Sequence, residues 1–245
     1  QQSGSTTIQN DGARLTVENA TIGAFAGNTL PTVQLSSAGD LIVGTVVGGA
    51  RALLQAGGAI TALSNSLDAG VIGLDVVLEA GRGIGNDANG ALNVYGATLS
   101  ATSVNGNIDL NSQGLSESGT LVVSRLATGI GSITLDQTGG QALMVQDAST
   151  ADGAISISNA EGQLTVNRAT AGGSDASDNL TLLTTGSGDI AVGDVQALGN
   201  DVRVTAAGSI ITINADAAAD ISAANVLLTA GSGIGNGANG ALGVS

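Results

Sequence analysis

The chain has 245 residues, 42% of them hydrophobic, and a formal net charge of −14. That charge, with six Arg and no Lys, excludes nucleic acid as a natural partner, because such binding rests on cations that neutralise phosphates. Anionic membrane surfaces are disfavoured for the same reason. One Phe, one Tyr and no Trp exclude a broad core filled by aromatics, and the absence of Cys and His excludes disulfides, thiolate or imidazole metal sites and Ser-His-Asp chemistry.

No run of 18 apolar residues exists, so no transmembrane helix is expected. The opening QQSGSTTIQN lacks a charged n-region and an apolar h-region. The chain therefore reads as a segment of something longer whose signal peptide is gone. An export route that threads an unfolded chain through a pore fits a sequence without Cys, although that absence alone decides nothing.

Taken in order, the chain repeats itself. Leu15-Thr16-Val17 with Ala20-Thr21 returns as Leu164-Thr165-Val166 with Ala169-Thr170. Residues 39–44 (GDLIVG) return as residues 188–193 (GDIAVG), again 149 positions on. One residue is then gained, and residues 76–94 (VVLEAGRGIGNDANGALNV) return as 226–244 (VLLTAGSGIGNGANGALGV) at an offset of 150, with 14 of 19 positions identical. Residues 1–245 thus read as one continuous unit in which 1–95 are equivalent to 150–245, and 96–149 are the part of the period seen once.

A finer period lies inside the long one. Short runs carry apolar residues at i and i+2: Ile133/Leu135, Leu143/Val145, Ile155/Ile157, Leu164/Val166, Leu180/Leu182, Ile190/Val192, Val202/Val204, Ile211/Ile213 and Val226/Leu228. A period of two buries one face of a strand and leaves the other in water. Gly, Asn, Asp and Ser punctuate the runs, as at Gly131-Ser132, Asp152-Gly153 and Gly208-Ser209, and these residues accept the backbone angles of tight turns. Only the Ala-rich residues 215–224 suggest a helix. The spacing predicts coils of roughly 20–25 residues, each too small to bury its apolar face alone. The predicted fold is all-β, a single-stranded parallel β-helix (β-solenoid). At ~4.8 Å per coil, about eleven coils would make a rod on the order of 50 Å. A narrow interior explains the missing aromatics. The cost of Pro in a hydrogen-bonded ladder explains why Pro31 stands alone.

The Gly-x-Ile-x-Leu/Val strands, the Leu-Thr-Val-x-x-Ala-Thr element at residues 15–21 and 164–170, and Leu-Thr-Ala-Gly-Ser-Gly-Ile-Gly at residues 228–235 resemble the filamentous haemagglutinin-like large exoproteins. The likeness runs along the whole chain. It implies a right-handed β-helix shaft, since periodicity alone leaves the handedness open. It also implies export through a dedicated outer-membrane pore (two-partner secretion) and adhesion at the cell surface or in a biofilm matrix. The Asn-Pro-Asn-type motif of the family's secretion domain is missing, because Pro31 sits in Thr-Leu-Pro-Thr. The resemblance therefore places the chain in a central repeat region.

Gly81, Gly83 and Gly85 follow a strand, but a dinucleotide loop needs G-x-G-x-x-G opening a helix, and Asn86 occupies the sixth position. Comparison of the copies favours a coil corner. Gly81, Gly83, Gly85, Asn86 and Asn89 persist as Gly231, Gly233, Gly235, Asn236 and Asn239, whereas Arg82, Asp87 and Asn93 become Ser232, Gly237 and Gly243. The Asn side chains are expected to cap backbone groups of the turn. Among acids Asp40 recurs as Asp189, while Glu18, Glu79 and Asp87 do not recur, which is how a solvated face behaves on a maintained scaffold.

Calcium is the best small-ligand candidate. Residues 172–179 (GGSDASDN) partly match glycine- and aspartate-rich calcium loops, and Asp175 and Asp178 would need oxygens from a neighbouring coil to reach six to eight ligands. A melt with and without chelator tests that expectation. No catalytic or cofactor residue is assigned. Phe25 and Tyr95 read as isolated aromatics, too sparse for sugar stacking, with Phe25 packed under a loop.

The resulting expectation is a non-catalytic shaft and adhesive surface of a secreted, cell-surface exoprotein. Its partners would be the secretion pore during export, then a host or neighbouring cell surface or a matrix polysaccharide. One rival is a self-associating fibre or surface-layer protein, joined end to end or laterally. A second is a β-helix polysaccharide lyase or hydrolase, which needs clustered acids in a groove.

Overall fold

The computed structural model describes residues 5–22, 31–66, 70–85, 88–115, 119–216, 218–235 and 237–245. Among them nineteen strands join one sheet in which every strand pairing is parallel, and no helix is present. The sheet winds into a β-solenoid of about 9 turns. That is fewer than eleven, because most coils lie at the long end of the predicted range of roughly 20–25 residues. At ~4.8 Å per coil the rod is on the order of 40 Å long.

Two ladders of inward side chains form the core. One stacks Leu15, Leu41, Ile60, Ile84, Ile108, Ile133, Ile155, Leu180, Val202 and Val226. From Ile60 onward its members stand 22 to 25 residues apart. The other stacks Leu35, Leu54, Leu78, Ala101, Leu126, Ala148, Ala169, Val195 and Ile221. Nearly all are fully buried. Burying a Val, Leu or Ile side chain stabilises by about 1.5–3 kcal/mol, so the hydrophobic drive is spread evenly along the axis.

The long sequence period is not a whole number of coils. Leu15 stacks in the first ladder, but its equivalent Leu164, in the strand that carries Ala169 of the second, pairs with Leu143 and with Ile190, in the strand that carries Val195 of the second. Leu54 belongs to the second ladder, and its equivalent Val204 pairs with Leu182 and Leu228, two residues along the strand segments that carry Leu180, Val202 and Val226 of the first. Each ladder accepts either sequence because both demand only Ile, Leu, Val or Ala at alternate positions. The two copies therefore lie half a coil out of step.

Register also settles which apolar residues point inward. Eight of the nine predicted strand pairs face the core or its open end, but Ile211 and Ile213 do not. Ile190↔Ile210 and Val192↔Thr212 pairing puts Ile210 and Thr212 inside. A shift of one residue exchanges the faces, and in a run with three Ile only the neighbouring coil decides. The described residues of the Ala-rich stretch 215–224 form no helix. Strand Ile221–Ala230 pairs with Val195 onward, and ladder hydrogen bonds with a fully buried Ile221 outweigh the helix preference of Ala. Pro31 precedes strand Thr32–Ser37, where its carbonyl accepts from Ala50 N at 2.8 Å.

A polar column runs through the interior. Val94 stacks on Ser112, then Gln137, Asn159 and Thr184, with the four polar residues at most 2% exposed. Gln137, Asn159 and Thr184 end their strands, where the chain turns. Ser112 Oγ donates to Gln137 Oε1 at 2.6 Å, and Gln137 Nε2 donates to Gln141 Oε1 at 2.9 Å. Asn159 Nδ2 donates to the carbonyls of Gln141 and Gln163, and Thr184 Oγ1 to that of Gly188. Gln163 O also accepts from Leu143 N and Gly188 O from Gly208 N, so at these turns the side chains add a second donor to a paired carbonyl.

Candidate functional site

The glycine-rich corner has the same geometry in both copies. Ile60 N donates to Gly83 O at 3.0 Å and Ile210 N to Gly233 O at 2.9 Å. Gly85 N donates to Ile60 O and Gly235 N to Ile210 O. Gly81 N reaches Ala56 O, and Gly231 N reaches Ala206 O. Gly85 has φ +66° and Gly235 +71°, and a Cβ on Gly85 would collide with the carbonyl of Asp109. Asn89 Nδ2 donates to Ala62 O at 2.9 Å, and Asn239 Nδ2 to Thr212 O at 3.2 Å. The amides of Asn89 and Asn239 thus hold the loop to the preceding coil. Asn86 and Asn236, assigned the same role from sequence, lie outside the described residues, as does Phe25.

The acid that recurs has a structural partner. Asp40 Oδ1 accepts the N–H of Ala59 at 3.0 Å, and Asp189 Oδ1 accepts that of Ser209 at 2.6 Å. Cations gather nowhere among the described residues. Arg51 pairs with Asp75 at 3.2 Å and Arg168 with Asp194 at 4.0 Å, both exposed, where ion pairs contribute little.

Asp175 and Asp178 are joined by Asp152 from the preceding coil, a residue that sequence spacing did not point to. Their carboxylate oxygens lie within 4.8 Å of one another. Asp178 is 5% exposed, and its Oδ2 accepts the N–H of Asp175 at 3.0 Å, so one of its oxygens already serves the turn. Asp152 and Asp175 are exposed. Three carboxylates supply half or less of the six to eight oxygens that calcium takes, so water would complete any such shell.

Two shallow grooves of about 660 and 480 Å³ lie along the second ladder, lined by outward Ser36, Gln55, Glu79 and Thr102 in one and Thr102 and Ser149 in the other. Val104, 67% exposed, stands between them.

A smaller and more enclosed cleft of about 250 Å³ sits on the first ladder. It is lined by Asn93, Tyr95, Asn111, Gln113 and Thr138. Strand Leu92–Gly96 pairs with Ile108–Gly114, which sets Asn93 beside Asn111 and Tyr95 beside Gln113. Asn93 points outward, yet it is 6% exposed, with its Nδ2 donating to the carbonyl of Ser66. Asn111 Nδ2 donates to Asn93 Oδ1 at 3.2 Å, and Gln113 Nε2 donates to Thr138 Oγ1 at 3.0 Å. Tyr95 is thus the one aromatic among the described residues of a polar cleft. The sequence hides the cleft because Asn111, Gln113 and Thr138 lie 16 to 43 positions from Tyr95 and come together only through register.

Beside the cleft, Asp136 is the ladder neighbour of Asn111. Partial burial, and after it the charge of Asp136, raises the Asp109 carboxyl above the ordinary carboxylate value. No protein-family model, curated protein or solved structure matches the chain.

Proposed function

We propose that this chain is a length of shaft from a secreted, filamentous haemagglutinin-like exoprotein, exported through an outer-membrane partner pore and presenting an adhesive surface to cells or matrix polysaccharide. The observation that carries the reading is the division of labour between interior and exterior. Two uninterrupted aliphatic ladders maintain a rod through about 9 turns, while outward charges such as Glu18, Glu79 and Arg82 give way to Asn167, Thr229 and Ser232 in the other sequence copy. Such a scaffold tolerates any outward chemistry, which suits a surface that contacts partners along its length. The chain's own features add support: no Cys, a strongly acidic surface that resists non-specific association, and outward rows of Ser, Thr, Asn and Gln.

The test is a surface assay. The 245-residue chain is coupled to beads, with a charge-matched globular protein on control beads. Retention of the beads on bacterial cells, host cells or matrix polysaccharide, above the control, is the expected result. Retention equal to the control on all three overturns the reading. Release of reducing sugar or unsaturated product from an acidic polysaccharide would favour a β-helix enzyme instead.

A further inference from the structure

The cleft around Tyr95 has the chemistry of a sugar subsite, and this inference rests on the adhesive reading above. Sugar rings present an apolar face of C–H groups and a rim of hydroxyls. A site for them needs an aromatic surface beside rigid, uncharged groups that both donate and accept. Tyr95 is the only Tyr of the chain, which has no Trp, and it lies in a cleft whose other described lining residues are three amides and one hydroxyl.

Those groups are held in place before any ligand arrives. Asn93 is buried and tied to Ser66, so it fixes the Asn111 amide through the Nδ2–Oδ1 contact at 3.2 Å. Gln113 is fixed in turn on Thr138. Asn111 Oδ1 and Gln113 Oε1 accept no hydrogen bond from the described residues. Thr138 Oγ1 accepts from Gln113 and keeps its own proton to donate. Preorganised acceptors and donors reduce the entropy lost on binding.

Size and charge narrow the ligand. About 250 Å³ lies under the ~300–1,000 Å³ of pockets for drug-sized molecules, so one ring fits rather than several. Among the described residues no cation lines the cleft, Asp136 is the ladder neighbour of its Asn111, and the chain carries −14. An anionic sugar would be repelled. We propose that Tyr95, Asn111, Gln113 and Thr138 form a subsite for one neutral hexose unit of a surface or matrix polysaccharide, with Asn93 as a positioning residue.

The test uses the whole chain. Without Trp, its tyrosine fluorescence reports on Tyr95 alone. Neutral β-glucan, α-mannan and galactan are titrated in turn, with polygalacturonate as the anionic control. The expected result is a saturable fluorescence change with at least one neutral polymer and none with polygalacturonate. Affinity electrophoresis on the responding polymer should show binding weakened roughly tenfold by Tyr95→Ala and by Gln113→Ala, and retained by Tyr95→Phe. Circular dichroism of each variant checks that the solenoid is intact. Binding that survives Tyr95→Ala in a folded variant overturns the subsite and leaves the adhesive reading standing. So does bead retention on cells without a response to any neutral polymer. No retention on any surface removes both.

Discussion

The carboxylate of Asp189 accepts the backbone N–H of Ser209, in the turn of the next coil, at 2.6 Å. Asp40 does the same for Ala59 at 3.0 Å, and this shared duty accounts for an acid that survives between sequence copies. Hydrogen bonds to a charged group contribute about 1.5–3 kcal/mol. Asp189→Ala should lower the unfolding free energy by about that amount in a urea titration. Asp189→Asn should restore most of it, since its carbonyl oxygen can still accept.

Gly85 and Gly90 separate two reasons for glycine. Both have positive φ, at +66° and +81°. A Cβ on Gly85 would meet the Asp109 carbonyl and Leu92 N, whereas one on Gly90 would meet nothing within 4 Å. Gly90→Ala should cost only the strain of the left-handed conformation, about 1 kcal/mol. Gly85→Ala should cost about 3 kcal/mol or more, because the coil must also shift. Thermal melts of the two variants give the comparison.

Gln137 links Ser112 to Gln141 inside the rod. Gln137→Ala leaves both without that partner in a site closed to water. A loss of about 2–3 kcal/mol is expected, read by chemical unfolding. The double variant Gln137→Leu with Ser112→Ala should recover part of it by removing the unpaired groups together.

Asp109 carries a raised carboxyl pKa in the folded chain. The unfolded chain therefore releases this proton first as pH rises. Folded stability from this site is lost between the unfolded value and the raised folded one, and it stays lost at neutral pH. Asp109→Asn should raise the melting temperature at pH 7. The gain should vanish below the unfolded carboxylate range, where Asp109 is protonated in both states. Asp136→Asn should reproduce part of the gain.

Ile84 and Val94 are at most 1% exposed under the following coil, while their equivalents Ile234 and Val244 are 48% and 50% exposed. An open apolar coil end with unpaired strand edges is a template for another rod. This 245-residue chain should associate with concentration in sedimentation velocity. Added salt should strengthen the association by screening the negative charge. Ile234→Lys should weaken it, and a monomer at every concentration and salt would remove the expectation.

Alternating Ile, Leu and Val and the Gly-Asn corners make strands and turns readable from sequence because those signals are local, and their recurrence every roughly 20–25 residues makes the coil and its parallel stacking readable in turn. Ile211 was placed on the wrong face because three Ile in one short run leave the register to the coil below. The Ala-rich residues 215–224 looked helical because local preference was visible and the pairing partner at Val195 was not. Asp175 and Asp178 could be named, but Asp152 could not, since it arrives from another coil. The same holds for the Tyr95 cleft, whose five residues span positions 93 to 138.

The half-coil step between sequence copies has a geometric consequence. A rod that repeats after a half-integral number of turns carries a pseudo-twofold screw along its axis. Equivalent outward residues then point to opposite sides in successive copies, and two passes of the period bring a given side chain back to the same side. A flat partner lying along such a rod meets every second copy of any motif, and a rod lying between two partners offers the same motif to both.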